Sequence, residues 1–292
     1  MPQTRLGELT IDRVVEFEQP EFDIYEFFPD ATPELLAPHL DWLVPRVLDP
    51  ATDKLVMPMQ TYVVRTPRHT ILIDTCIGHD KTLAFRPNWH KRTGGTYLAD
   101  LKALGVAPES VDYVMCTHLH PDHVGWNTRL VDGRWAPTFP NAKYVMARDE
   151  LTYWEASHKH KRRWVYTESV LPVVEAGQAL VVDSDHALDD NVWLEPSPGH
   201  TPGHVSVRLS SNGAGAVMCG DLIHSPIQCV YPHWNSMACI DPEQARKTRA
   251  DFLDRYCDSA VRVLTAHFPA PSIGRITPHG DAYRFVYDGE DD

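Results

Sequence analysis

Four residues that can bind a metal ion or transfer a proton lie within one short segment of the sequence. His118, His120, Asp122 and His123 belong to the segment CTHLHPDH, which follows an apolar run ending at Met115. Neutral imidazole nitrogens suit zinc and other first-row divalent ions. Alternate residues of an extended turn can face one ion while the last two face a second ion. Four ligands cannot fill two tetrahedral ions, so more ligands must follow along the chain.

Three later residues supply further ligands. Each follows an apolar, strand-like run: His200 in SPGHTPGH, Asp221 in MCGDLIH and His267 in LTAHFP. A carboxylate such as that of Asp221 can bridge two cations about 3.5–4 Å apart, which is the spacing of two-metal hydrolytic sites. The seven residues together predict a centre of two divalent ions. Zinc is the expected metal, with cobalt, manganese and iron as alternatives.

Two cations at such a centre would favour hydrolysis. They lower the pKa of a bound water toward 7 and stabilise the oxyanion that forms during the reaction. Asp122 can bind through one carboxylate oxygen and use the other to move a proton from the nucleophile to the leaving group. We therefore expect Asp122 to act in catalysis as well as in metal binding.

Strands and helices must alternate to position these residues. Short apolar runs rich in β-branched residues predict strands at residues 61–64, 70–73, 111–115, 144–146, 205–209 and 216–218. Helical signals occur at residues 97–104, 149–156 and 242 to about 257, the last capped by Asp241. This alternation indicates an α/β layered fold.

The segment from about residue 22 to 58 combines aromatic residues and prolines with weak periodicity. We interpret it as an irregular excursion that lies on the body of the protein and roofs a pocket. The sequence shows no repeat and no linker, which favours a single domain over residues 1–292. Apolar and aromatic side chains near the motifs are candidates for the pocket wall, namely Phe27, Phe28, Trp89, Trp126, Leu222 and Trp234.

Composition argues against several classes of protein. Of 292 residues, 43% are hydrophobic and 23% are charged, as in globular proteins. The net charge of −13 repels nucleic acids and anionic lipids, so we expect neither as a partner. The start of the sequence has no apolar leader, and no long apolar stretch follows, so the cytoplasm is the expected compartment. The six cysteines are interpreted as reduced packing residues, and the basic run at residues 158–163 as a solvated helix end without a role.

The motifs resemble, in type and order, those of the metallo-β-lactamase fold superfamily from about Tyr62 to His267. The resemblance implies an αβ/βα four-layer sandwich, in which two mixed β-sheets are flanked by helices and carry the metals at one edge. It also implies a bridging hydroxide as the nucleophile. Its ligand sets, carried over by motif, are His118, His120 and His200 for one ion, Asp122, His123 and His267 for the other, and Asp221 as the bridge.

A further strand end resembles the family's I-D-T-G motif. In Ile73-Asp74-Thr75-Cys76, the resemblance implies that Asp74 supports the metal site without binding metal, and Cys76 stands where the family has glycine. His204, in the loop of His200, is expected to hydrogen-bond locally because the family uses the first histidine of that pair.

Within the superfamily, this chain is similar to the branch of N-acyl homoserine lactonases and methyl parathion hydrolase-like enzymes. The similarity lies in GDLIH, in the helix that begins at Pro242 and in AHFPAPSIGRI. An iron-type site of the pattern H-x-E-x-D is disfavoured because His120 replaces its glutamate. Lactonases of this branch often place a tyrosine three residues after the bridging aspartate, and here that residue is His224. His224 is a candidate catalytic residue, as a substrate contact or proton donor, with packing as the alternative role.

The leading hypothesis is therefore a dinuclear-metal hydrolase of a small ester, with a lactone as the first candidate substrate. One alternative keeps the same metals and acts as a phosphotriesterase on organophosphate triesters. The other alternative is a metal-binding protein of the same fold that has lost turnover. Because similar enzymes are often dimers, a homodimer is one expectation for the assembly.

Overall fold

The structure is a computed structural model that describes residues 3–157 and 163–290. The predicted basic run therefore lies largely outside the described residues. The strands follow one another along the chain as β1 (Thr4–Leu6), β2 (Leu9–Asp23), β3 (Leu48–Asp49), β4 (Lys54–Arg65), β5 (Thr70–Ile73), β6 (Tyr113–Met115), β7 (Thr128–Val131), β8 (Arg134–Pro137), β9 (Lys143–Ala147), β10 (Ala179–Val182), β11 (Val192–Pro196), β12 (Val205–Ser211), β13 (Ala214–Met218), β14 (Arg262–Leu264), β15 (Ile273–His279) and β16 (Ala282–Tyr287).

The helices are mostly short. They are α1 (Ile24–Phe27), α2 (Pro33–Leu36), α3 (Leu40–Leu43), α4 (Tyr97–Ala103), α5 (Pro121–Val124), α6 (Arg148–Ser157), α7 (Arg163–Val165), α8 (Leu171–Glu175), α9 (Ile227–Val230) and α10 (Pro242–Tyr256). Helix α10 begins as predicted, because the Asp241 carboxylate accepts a hydrogen bond from the Gln244 backbone N–H at 3.0 Å.

Two mixed sheets form the centre of the fold. Among the described residues, the first sheet contains eight strands in the order β1-β2-β4-β5-β6-β9-β10, with β3 beside β4. The second contains six strands, β11 to β16 in chain order. Parallel pairs join β5, β6, β9 and β10 in the first sheet, and β13 and β14 in the second. These parallel strands send their carboxyl ends to one edge of the fold, where polar loops follow them.

The buried side chains show that the layers run helix, sheet, sheet, helix. Val64 of β4 packs in a core that also contains Val207 of the second sheet, so this core lies between the sheets. The neighbouring Val63 faces the other side and packs in a core with Tyr97 of α4 and other helical residues. On the far side of the second sheet, Phe252 of α10 shares a third core with strand residues. The predicted four-layer sandwich with two mixed sheets is confirmed.

The predicted irregular excursion at residues 22–58 is wrong at both ends. Strand β2 continues to Asp23 and β4 begins at Lys54, and the two strands pair antiparallel along most of their length. The register shifts between Val15 and Phe17 and again between Pro20 and Phe22. Such bulges interrupt the alternation of inward and outward residues, which is the signal that sequence reasoning needs. Only the middle of the segment, which carries α1 to α3, is free of long strands.

Two further expectations concern the cysteines and the membrane. All six cysteines are unpaired, and four of them are buried, as expected of packing residues. Among the residues that the structure describes, none of the helices combines the length and apolar character needed to cross a bilayer. The single domain remains a prediction.

Candidate metal centre

Loops at the shared edge of the two sheets carry the candidate ligands. His118 to His123 follow β6, and His120 precedes the first residue of the short helix α5. His200 lies in the loop between β11 and β12, Asp221 in a turn after β13, and His267 in the loop after β14. Because β13 and β14 are parallel neighbours, the loops that follow them leave the sheet side by side.

Three imidazoles of the first predicted set converge on one point. His118 Nε2 lies 3.0 Å from His120 Nδ1, and His120 Nδ1 lies 2.8 Å from His200 Nε2. Asp221 Oδ2 faces the same point, 3.2 Å from His200 Nε2 and 3.6 Å from His118 Nε2. All four side chains are buried.

The second predicted set surrounds the other oxygen of the same carboxylate. Asp221 Oδ1 lies 3.1 Å from His123 Nε2 and 3.0 Å from His267 Nε2. Asp122 Oδ2 is 3.8 Å from His123 Nε2 and 3.7 Å from His267 Nε2. The structure thus brings all seven sequence-predicted ligands together, with Asp221 between the two groups.

Hydrogen bonds at the far side of the rings orient three of these histidines. The oxygen partners of their Nδ1 atoms are Thr117 Oγ1 for His118 at 3.1 Å, Asp74 Oδ2 for His123 at 2.8 Å and the Pro58 carbonyl for His267 at 3.1 Å. An imidazole that donates from Nδ1 keeps its lone pair on Nε2, which is the atom that faces the centre. Asp74 also accepts hydrogen bonds from the Thr117 backbone N–H and hydroxyl, each at 2.8 Å.

The turn that presents Asp74 forms although Cys76 replaces the family's glycine. Cys76 adopts a φ of +51°, in the left-handed region that glycine adopts at little cost. Its carbonyl accepts a hydrogen bond from the Gly125 backbone N–H at 2.8 Å, which ties the turn to the loop after the first ligands. The turn therefore forms with Cys76 in the left-handed region.

His204 lies beside the centre and orients Asp221. Its Nε2 accepts a hydrogen bond from the Asp221 backbone N–H at 3.0 Å, while its Nδ1 lies 2.9 Å from Ser197 Oγ. Burial lowers the pKa of His204 to about 3, so the ring is a neutral acceptor. Gly220 makes this contact possible, since a Cβ there would lie 2.6 Å from His204 Nε2.

Sequence reasoning missed Glu150, which joins two ligand loops. This buried carboxylate of α6 accepts hydrogen bonds from the backbone N–H of Leu119 at 2.9 Å and of Gly203 at 3.1 Å. It also accepts one from Trp154 Nε1 at 2.7 Å, and the Trp154 ring packs edge-on against His120. The only sequence signal was an acidic residue in the first turn of a helix, which is a common position for a solvated carboxylate.

The charges at the centre are strongly coupled. Burial lowers the pKa of His123, but attraction to Asp221 and Asp74 prevails and raises it well above its usual range. Burial also lowers the pKa of His200, but attraction to Asp221 prevails and raises it to about 9. His118 shows the opposite outcome, because burial and the neighbouring His123 hold its pKa well below the usual range.

These residues fit a pair of divalent ions. Within each of the two groups, the potential ligand atoms lie within 4.8 Å of one another. Imidazole nitrogens as close as 2.8 Å repel one another unless a proton or a cation lies between them. In the described part of the chain, the buried Asp221 Oδ1 has no hydrogen-bond partner of normal geometry, and an ion would satisfy it. Nitrogen and carboxylate donors of this kind are typical of zinc and similar metals.

A cavity of about 380 Å³ opens onto this centre. Its polar side is formed by His120, Asp122, Asp221, His224 and His267, and its apolar side by Phe22, Phe27, Met57, Phe85, Trp89, Pro121, Met237 and Ala238. Glu26 and Arg86 also line it.

His224 lies inside the cavity, with its Nε2 3.2 Å from Asp221 Oδ2 and its ring edge against Phe27. Burial lowers the pKa of His224 to about 4, so its ring is neutral at neutral pH.

The structure places two of the six predicted pocket side chains at this cavity and four away from it. Phe27 and Trp89 line the cavity. The other four are almost fully buried and do not line it, namely Phe28, Trp126, Leu222 and Trp234. Proximity in sequence to a ligand does not indicate a pocket position, since a large side chain next to a ligand turns into the core as readily as into a pocket. Trp126, for example, stacks on Tyr97 and donates to the Glu16 carboxylate.

Comparison with known proteins agrees with this fold. The sequence pattern of the metallo-beta-lactamase superfamily matches residues 57–267. The N-acyl homoserine lactonase of Bacillus sp is 26% identical over 179 residues, which cover 56% of this chain and 63% of that protein. The N-acyl homoserine lactonase AttM of Azorhizobium caulinodans is 29% identical over 192 residues, which cover 59% of this chain and 64% of that protein. The matched part is thus less than two thirds of the length of these relatives.

Solved structures resemble the chain over its whole length. The hydrolase AbOPH of the beta-lactamase superfamily superposes with a TM-score of 0.82 at 23% identity, covering 99% of this chain and 98% of its own. AidC, described as a dizinc quorum-quenching lactonase, superposes with a TM-score of 0.81 at 23% identity, covering 100% and 98%. These likenesses define the class of protein as an α/β sandwich of the metallo-β-lactamase fold. With the pattern match across most of the chain, the protein belongs to the metallo-β-lactamase superfamily.

Proposed function

We propose that this protein is a hydrolase that uses two divalent metal ions to cleave a small ester, and that its substrate is a lactone. The observation that carries the proposal is the convergence of five imidazoles and Asp122 on the two oxygens of the buried Asp221 carboxylate. When bound there, two such ions supply an activated water and polarise the scissile carbonyl. The names of the relatives support a lactone as the substrate class.

The proposed ligand sets follow the two groups of side chains. One ion would be held by His118, His120 and His200, the other by Asp122, His123 and His267, and Asp221 would contact both. We propose zinc for both positions, because the four proposed donors around each ion are imidazole nitrogens and carboxylate oxygens in a buried setting. We also propose that residues 1–292 act as a single hydrolase domain.

Asp122 is the proposed proton carrier. It lines the cavity, and its side chain is 13% exposed, whereas the Asp221 side chain is 5% exposed. One carboxylate oxygen faces the second group of ligands, so the other is available to a substrate in the cavity. A carboxylate in that position can take a proton from the attacking water and return it to the leaving oxygen.

His224 is the proposed contact for the carbonyl or leaving oxygen of the substrate. Its ring is buried in the cavity wall; Nε2 lies 3.2 Å from Asp221 Oδ2, whereas Nδ1 has no hydrogen-bond partner among the described residues. A buried ring nitrogen without a partner is costly in a folded protein, and a polar substrate atom would satisfy it. The apolar side of the cavity would receive the acyl portion of the substrate.

The test of this proposal is turnover of a panel of N-acyl homoserine lactones and simple esters by the zinc-loaded protein. His224→Gln should lower kcat/KM by about tenfold to a hundredfold, as loss of a hydrogen bond in the transition state does. The exposed His233→Gln is the matched control and should leave kcat/KM unchanged. Equal kcat/KM values for the two variants would show that His224 does not act in the reaction.

A second candidate function is hydrolysis of an organophosphate triester. It is favoured by His224, which stands at the position where lactonases often have tyrosine. Comparing kcat/KM on the lactone panel with that on an aryl dialkyl phosphate triester decides between the two substrates. If the protein binds two ions and turns over neither class, the alternative of a metal-binding protein without catalytic activity is favoured instead.

A further inference from the structure

His200 differs from the other oriented ligands in the atom that contacts its far nitrogen. His118, His123 and His267 each have an oxygen within 3.1 Å of Nδ1. His200 Nδ1 instead lies 3.7 Å from the sulfur of Cys239, within reach of a hydrogen bond to sulfur. The first ion would therefore be bound by one histidine whose outer partner is a thiol.

Backbone hydrogen bonds hold Cys239 against this histidine. The N–H of Ile240 donates to the His200 carbonyl at 2.9 Å, and the N–H of Asp241 donates to the Gly199 carbonyl at 3.0 Å. Asp241 in turn caps α10, so the segment that carries the thiol is fixed to the start of that helix. The position of the sulfur is set by this pairing and does not depend on its own weak interactions.

The loop of His200 is equally constrained from the opposite side. Gly199 has a φ of +131° and packs on the first turn of α10, where a Cβ would lie 2.3 Å from the Ala245 backbone nitrogen. Ser236 Oγ lies 3.5 Å from the sulfur, and the Arg249 guanidinium is a further polar neighbour of the thiol. Neither the loop nor the thiol segment can move to give His200 another partner without breaking these contacts.

We propose that Cys239 is a positioning residue for the metal centre. Its sulfur accepts a hydrogen bond from His200 Nδ1–H, so the lone pair of the ring stays on Nε2, 3.2 Å from Asp221 Oδ2. Outer partners of this kind change metal affinity by about tenfold to a hundredfold when they are removed. Cys239 therefore sets the affinity of the ion bound by His118, His120 and His200, and leaves the other ion unaffected. This inference rests on the proposed two-metal function.

The test is a titration of zinc and cobalt in competition with a chromophoric chelator, on wild type, Cys239→Ala and Cys239→Ser. Cys239→Ala should lose about tenfold to a hundredfold in affinity for one of the two ions and keep the other. Cys239→Ser should recover part of the loss, because a hydroxyl also accepts a hydrogen bond but reaches less far than sulfur. The visible spectrum of the cobalt-loaded Cys239→Ala protein should change at one site only.

Cys257→Ala is the matched control, since Cys257 is also partly buried but lies at the opposite end of α10. It should bind both ions like wild type. Equal affinities for both ions in Cys239→Ala and wild type would overturn the inference. So would a parallel loss of both ions together with lower stability of the metal-free protein, because that result marks a packing role. Wild type that binds no divalent ion would overturn the proposed function itself, which distinguishes the two failures.

Discussion

Replacing Glu150 with glutamine should loosen the metal centre without altering any proposed ligand. Two of the three hydrogen bonds to this carboxylate, from the Leu119 N–H and Trp154 Nε1, end on Oε1, and the third, from the Gly203 N–H, ends on Oε2. The amide of glutamine keeps one oxygen but turns an NH₂ group toward one of these donors. A buried donor left without an acceptor then faces another donor.

The expected cost follows from these contacts. An unsatisfied buried donor costs about 1–3 kcal/mol, and the two remaining bonds lose the gain that comes from a charged acceptor. Burial raises the pKa of Glu150, so part of the cost of burying its charge is recovered when the charge is removed. We expect the free energy of unfolding of E150Q to fall by about 2–3 kcal/mol.

The assay is urea unfolding of the metal-free protein, with zinc affinity measured in parallel. Because Glu150 joins the loop of His118 and His120 to the loop of His200, zinc affinity should also fall by about tenfold. E155Q, an exposed change on the same helix, is the control and should alter neither quantity. The role assigned to this carboxylate would be refuted if the free energy of unfolding of E150Q were within about 0.5 kcal/mol of the wild-type value and its zinc affinity were unchanged.

Three further predictions concern other parts of the molecule. Gly203→Ala should destabilise the protein by about 3 kcal/mol in urea unfolding, because its Cβ would lie 2.1 Å from the Glu150 backbone nitrogen; Gly215→Ala, whose nearest neighbour is at 3.4 Å, should be close to neutral. Burial lowers the pKa of Lys81 well below its ordinary 10.5, so between these two pKa values the unfolded chain binds more protons and stability should rise with pH. The unfolding free energy of wild type should therefore rise relative to that of Lys81→Met by up to about 1.4 kcal/mol per pH unit between about pH 8 and 10. A difference that does not change with pH would contradict the lowered pKa of Lys81. Met237→Ala, at an exposed position of the cavity wall, should raise KM about fivefold for long-chain lactones and leave short-chain KM unchanged.

Much of the fold could be predicted because its strongest signals are local. The predicted strand at residues 70–73 coincides with β5, and the capped helix begins at Pro242 as predicted. The seven metal-ligand candidates were also accessible, since each follows a strand-like run and the rare spacing of His118 to His123 marks the first of them. Whether these residues bind metal remains a prediction.

The remaining features depend on contacts between distant parts of the chain. Long strands β2 and β4 were missed where bulges and prolines break the alternation. Glu150 and Cys239 acquire their roles from loops that lie 53 and 39 residues away in sequence, and nothing in their local sequence marks them. The same limit explains why Trp126 and Leu222 were placed in the pocket, since which face of a loop is buried is decided by its tertiary neighbours.

The central claim is tested most directly by metal content per chain, measured together with lactone hydrolysis before and after chelation. The protein should contain two divalent ions, lose lactone turnover when a chelator removes them and regain it when zinc is restored. Asp221→Ala, which removes the carboxylate between the two groups, should bind fewer ions and lose turnover while the fold is retained by circular dichroism. Lactone turnover that persists in the metal-free protein or in Asp221→Ala would contradict the account.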